Sequence, residues 1–352
     1  MPALWVTDRQ QLPYLPVMWA GMVCERGFRE NMRYGLPYKG SKNQIAEWIV
    51  RQLPYADTFV DLFFGGGAVT HCALLSGKYK RFIINDIDAR LPKLFLECAY
   101  GKHTVDNHPE WISREEFERK KDADIYTALV WSFGNNKTGY IYGKDVEDFK
   151  KQLHRAVFEG FADGLASYGF NIKISGNSPS ERYRVIKPQI KQQKAERFQT
   201  ELQNLEALNR LEALERLQSL EALERLQPFG ADYRDIQIPP NSLIYCDIPY
   251  GDTDCSGYGG GDFDHNAFYE WALQQNNIFI SEYSMPSNSI EIANIEKSVL
   301  SSAGGNSQKA VERLYTNHRT YDRMTEHQRA IIQSNFATQI SLFDYVFNPY
   351  QE

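Results

Sequence analysis

The chain has 352 residues, 42% apolar and 13% aromatic, which fills one large core or two modest ones and excludes a disordered protein. Its five cysteines (Cys24, Cys72, Cys98, Cys246, Cys255) form no CxxC pair and lack the paired Cys/His spacing of a zinc site, so reduced thiols in a cytoplasmic protein are expected. No apolar run approaches the ~18 residues that cross a bilayer, so neither export nor a membrane is expected; the net charge of −6 leaves nucleic-acid binding to local basic patches.

Residues 1–31 read as an extension, because Pro2, Pro13 and Pro16 interrupt any helix, and Met32 is an alternative start. Ile45, Trp48, Ile49 and Leu53 recur at helical spacing before Pro54, which predicts a helix over 44–53 and puts LPYKGSK (Leu36–Lys42) in the loop before it. TFVDLFFGGGAVTHCALL then runs from a strand through Gly65, Gly66 and Gly67 into a helix, and RFIINDID is a second strand with acidic residues at its end near Asp86. Strand, glycine turn, helix and acid-terminated strand make one βαβ unit of an α/β doubly wound sheet. DIYTALVWSF (Asp124–Phe133) is an apolar element before a polar loop containing Lys137. SLIYCD and NNIFIS are further core strands, with a helix between them over FDHNAFYEWALQQ.

The stretch 138–239 breaks this alternation and reads as an inserted domain. Within it, Arg182, Arg184, Lys187, Lys191, Lys194 and Arg197 stand against Glu196 alone, a pattern that fits either a phosphate-binding surface or a solvated helix face. Between 202 and 227 leucine recurs every third residue. At 3.6 residues per turn each step falls about 60° short, so the leucines spiral round a helix. Such a helix, ended by Pro228, is expected to touch different neighbours along its length or to expose leucines for a protein partner or self-association. Tandem expansion of codons explains the repetition equally well without function.

Two motifs carry chemistry. DLFFGGG lets backbone pass close to a ligand, and Asp86, about 20 residues on, stands where this fold holds a ribose. The GxGxxG pattern is not matched after Gly67, which favours an adenosine ligand lacking a pyrophosphate. In YCDIPY, Asp247 ends a core strand, Pro249 holds Ile248 extended, and Tyr250 offers a stacking surface worth ~1–3 kcal/mol for a base. One carboxylate and one backbone carbonyl facing a planar amino group beside a ring suit an extruded base. The same pair of acceptors also suits a cytosine amino group, an RNA base or a protein amide.

Taken together, PYKGSK, DLFFGGGAV, NDID and YCDIPY followed by DFDHNAFYEWA resemble Dam-type adenine-specific DNA methyltransferases of the phage-like kind, in which cofactor motifs precede a target-recognition domain and the catalytic motif comes last. The resemblance covers roughly 32–137 and 240–350. It implies a Rossmann-like methyltransferase sheet built from 32–137 and 240–352, with a mainly helical target-recognition domain over 138–239. It further implies S-adenosylmethionine as cofactor, held by Tyr38, Lys42, Asp61, Phe63, Gly65, Gly67, Asp86 and Asp247. Catalysis would rest on Asp247, Ile248, Pro249 and Tyr250 acting on adenine N6 of flipped double-stranded DNA, with Lys137, Arg182, Arg184, Lys187, Lys191 and Lys194 on the DNA. The family usually has proline at position 248. Isoleucine offers the same backbone carbonyl, so activity is expected to survive. A non-catalytic DNA-binding or interaction module is the alternative.

Overall fold

A computed structural model describes residues 34–107, 110–193, 206–219, 223–249, 263–300, 307–326, 328–330 and 332. The extension 1–31 therefore lies outside the described residues. Seven strands form one sheet: β1 (Thr58–Asp61), β2 (Arg81–Asn85), β3 (Leu226–Phe229), β4 (Leu243–Asp247), β5 (Ile278–Glu282), β6 (Ser289–Leu300) and β7 (Ser307–Asn317). Their order is β3-β2-β1-β4-β5-β7-β6, with β1 to β5 parallel and β7 and β6 antiparallel. Chain progression reverses between β1 and β4. In open α/β sheets that is where a crevice opens beyond the carboxyl ends of the strands.

The strands carry continuous apolar runs because both faces are covered, and their two-residue period divides them between two cores. Phe59, Phe82, Ile84, Tyr245 and Phe279 face the larger core. That core includes α1 (Ala46–Gln52), α2 (Ala68–Ser76), α3 (Arg90–Ala99), α4 (Arg114–Lys120), α5 (Ile125–Val130), α6 (Glu147–Phe158), α7 (Pro179–Gln192) and α8 (Glu206–Glu215). Val60, Ile83, Ile244, Cys246 and Ile280 face the smaller core, under α9 (His265–Gln274) and residues 233–238. The helix α10 (His318–Arg323) follows β7. Local chemistry sets the helix starts: Ser113, Asp124, Ser178, Asp264 and Asn317 each accept an amide hydrogen at an N-terminus. The cysteines at 72, 98 and 246 are buried free thiols; Cys24 and Cys255 lie outside the described residues.

The leucine repeat touches different neighbours along its length, as one of its two expected forms does, but departs from a helix running to Pro228. Leu208, Leu211 and Leu214 are buried on α8, and the chain then tightens into a 3₁₀ turn, Arg216–Ser219, that buries Leu217. In 3₁₀ geometry a step of three is a full turn, so the spiral is straightened where α-geometry would carry it off the core. Its polar residues are engaged as well. Arg210 donates to the carbonyls of Leu129, Val130 and Ser132, and the Glu215 carboxylate accepts from the Val105 amide at 2.6 Å. The described leucines therefore face the chain's own core, not a partner; Leu202, Leu205 and Leu220 lie outside the described residues. Nor does Pro228 end a helix. It sits in β3, opposite Ile84, at the sheet edge where proline is tolerated. The strand 226–229 thus lies within the stretch expected to be the inserted domain, yet it extends the main sheet beside β2.

Candidate active site

The glycine turn is built for close approach. Gly65 and Gly67 adopt left-handed φ of 51° and 67° as the chain passes from β1 into α2. A Cβ on Gly67 would lie 2.2 Å from the Phe64 ring, and one on Gly66 would lie 2.7 Å from the Tyr38 Cβ, so bulk is excluded by contact as well as by φ. Asp86, just beyond the end of β2, fixes the turn by accepting the Gly65 amide at 2.7 Å and the Asp88 amide at 2.9 Å. The loop before α1 lies over the glycines: the Leu36 amide donates to the Gly66 carbonyl at 2.7 Å, and the Gly35 amide donates to His71 Nδ1 at 3.0 Å. Tyr38 thereby rests on Gly65, with Lys137 Nζ 5.5 Å from its ring centroid.

At the reversal of strand order, Asp247 ends β4 and keeps 22% of its side chain exposed in an otherwise buried neighbourhood. Lys42 Nζ bonds its Oδ1 at 2.6 Å and lies 3.7 Å from Glu312 of β7. On the neighbouring strand Glu282 ends β5, and its Oε1 accepts the Tyr283 amide at 2.7 Å. Pro249 is fixed from α9, where His265 Nε2 lies 2.7 Å from its carbonyl oxygen.

Electrostatically the crevice is acidic. Asp61, Asp86, Asp247, Glu282 and Glu312 surround Lys42 and Lys137. Burial pushes the carboxyls of Asp61 and Glu282 up to about 7 each, and raises that of Asp86 despite its two amide donors. Burial also lowers the Lys137 ammonium, which weakens the positive side of the balance. Two acceptors, Asp61 Oδ1 and Glu282 Oε2, are buried without a hydrogen-bond partner among the described residues. An anionic pyrophosphate does not suit this lining. A small cationic ligand with donor groups does, and S-adenosylmethionine, a sulfonium with an ammonium and ribose hydroxyls, has that character.

A family model, D12 class N6 adenine-specific DNA methyltransferase, matches residues 38–271, about two thirds of the chain. The chain belongs to that family. It is therefore an enzyme that methylates adenine N6 in DNA, and its family uses S-adenosylmethionine. A search of curated proteins found no match.

In the methyltransferase, Tyr38 and Asp86 both contact Gly65 of the glycine turn, and Lys42 meets Asp247 at the end of β4. Lys42 Nζ contacts the Asp247 carboxylate. The Phe63 ring packs in the smaller core against Tyr233, Phe263 and Phe268. Lys137, expected on DNA, lies against Tyr38 and 3.8 Å from Asp88. Arg182, also expected on DNA, turns inward to donate to the carbonyls of Val157 and Phe158 at the end of α6. Arg184, Lys187 and Lys191 are exposed along one face of α7, opposite the buried Ile186 and Ile190. Ile248 buries its side chain in the smaller core, while Tyr250 and Lys194 lie outside the described residues. Sequence reasoning missed Glu282, Glu312 and His265. Glu282 had a signal, since it ends an apolar strand as Asp247 does; Glu312, in mid-strand, had none.

Proposed function

We propose that the methyltransferase acts on adenine extruded from a specific double-stranded DNA sequence, with Asp247 and the Ile248 carbonyl accepting hydrogen bonds from the N6 amino group and Tyr250 stacking on the base. The observation that carries this is the partly exposed Asp247 carboxylate at the strand-order reversal, anchored through one oxygen by Lys42. The amino nitrogen of adenine is a poor nucleophile because its lone pair is delocalised into the ring. Hydrogen bonds from its two N–H groups to fixed acceptors favour tetrahedral geometry and localise that pair, and positioning of this kind lowers a barrier by several kcal/mol. Lys42 holds the acceptor still. The cofactor supplies an electrophilic methyl group; Tyr38, Asp61, the 65–67 turn and Asp86 would hold it, the last with its oxygens already oriented by two amides. Residues 138–239, apart from the sheet strand 226–229, are the proposed target-recognition region, with Arg184, Lys187 and Lys191 on phosphates. Removing the base from the stack costs a few kcal/mol, which those contacts offset.

The test begins by mapping N6-methyladenine in DNA from cells expressing the chain, which defines the target. A duplex carrying 2-aminopurine at that adenine should then brighten when the enzyme binds. A mapped site at which binding changes neither the 2-aminopurine emission in the wild type nor that in Tyr250→Ala counts against extrusion.

A further inference from the structure

One buried group in the crevice has no task in the scheme above. Glu282 is 4% exposed, and its Oε2 finds no hydrogen-bond partner among the described residues. The surrounding elements place defined charges around it. Asp247 of β4 and Glu312 of β7 disfavour its ionisation, and Lys42 favours it. That lysine is already shared between the same two carboxylates. Arg313, its register partner on β7, directs Nη1 to the Tyr283 carbonyl at 2.7 Å and Nε towards Glu291 at 3.3 Å. The phenols of Tyr269 on α9, Tyr283 and Tyr315 complete the neighbourhood and carry no charge at neutral pH. Among the described residues, three carboxyl groups thus stand around one lysine.

We infer that Glu282 gives up a proton when the cationic sulfonium cofactor binds and keeps it when the neutral thioether product binds, so that it biases the crevice towards cofactor over product. The step balances simply: the carboxylic acid becomes a carboxylate, the proton goes to solvent, and the sulfonium charge compensates the new anion. Burial raises this carboxyl to about 7, which leaves it about half protonated at neutral pH and able to respond. Product has the same adenosine and amino-acid groups as cofactor and one positive charge fewer. A carboxyl that answers only to that charge favours release of the spent molecule. The inference rests on reading the crevice as the S-adenosylmethionine site.

Isothermal titration calorimetry tests it on the full chain, with S-adenosylmethionine and S-adenosylhomocysteine titrated separately in two buffers of different ionisation enthalpy. For the wild type near pH 7, cofactor binding is expected to release up to about half a proton more than product binding. The ratio of cofactor to product affinity should rise with pH up to about 8 and then level off, by ~tenfold in all for each unit that the cation lowers the group, with the rise lying between the lowered value and about 7. In Glu282→Gln both the extra proton and the pH dependence of the ratio should vanish. Equal proton release by the two ligands in the wild type overturns the inference without needing a variant, as does a Glu282→Gln enzyme that keeps the difference. If S-adenosylmethionine gives no binding heat and no competition with product, the cofactor site itself is wrongly assigned, a different failure from binding without proton release.

Discussion

Replacing Lys42 by methionine removes one charge and keeps most of the side-chain volume, so its effect reports the electrostatics of the crevice. Lys42 and Glu312 are 4% and 0% exposed, and Asp247 is 22% exposed. Breaking a buried ion pair by removing one partner costs ~3–5 kcal/mol, because the other partner is left uncompensated. The partial exposure of Asp247 puts this case at the low end, about 3 kcal/mol. For a chain of this size that lowers the melting temperature by roughly 4 °C. The origin can be checked through pH. Without the lysine, folding must bury two carboxylates that have lost its charge; that penalty is complete at alkaline pH and is relieved as the groups take up protons towards the unfolded value of ~4. Differential scanning calorimetry at pH 8 and pH 5.5 should therefore show a large deficit that narrows on acidification, together with loss of methyl transfer. A variant that melts with the wild type at pH 8, or whose deficit is the same at both pH values, would refute the electrostatic reasoning.

Asp61 offers a second pH signature. Its carboxyl rises to about 7 in the fold, so the stability that folding retains with the group protonated is lost as pH rises from ~4 through 7. Asp61→Asn should therefore gain on the wild type between pH 5 and pH 8 in urea midpoints, and a pH-independent difference would contradict this. Leu214→Ala should destabilise by ~2–5 kcal/mol, because Leu214 is fully buried; a loss under ~1 kcal/mol would mean the repeat is peripheral after all. Changing Arg184, Lys187 and Lys191 together to glutamine should flatten the slope of log affinity for DNA against log salt by about 2–3. An unchanged slope would remove α7 from the interface.

The parallel sheet and the glycine turn were legible because their signals are local. Apolar runs of strand length, left-handed glycines and a carboxylate at each strand end are properties of a few adjacent residues. What could not be read depended on contacts distant in sequence. Lys42 and Asp247 stand 205 positions apart, so nothing local showed that the lysine serves the acceptor motif. Arg182 and Lys137 are basic residues beside other basic residues or in a polar loop, yet nearby carbonyls in one case and an aromatic ring with a carboxylate in the other draw them inward. The leucine repeat misled for a geometric reason. A three-residue period argues against a seam only while the helix keeps 3.6 residues per turn, and here the chain changes winding where Leu217 must reach the core. β3 was hidden because Pro228 reads as a helix stop, and only its edge position makes a strand acceptable there.

Asp247 is proposed to direct methyl transfer to the N6 atom of adenine in DNA. Incubating purified enzyme with DNA and methyl-labelled S-adenosylmethionine, then digesting to nucleosides, measures it directly. The account predicts label in N6-methyldeoxyadenosine with the wild type and a loss of at least about a hundredfold with Asp247→Asn, while that variant still binds cofactor. Label appearing in another nucleoside, or near-normal transfer by the variant, would contradict it.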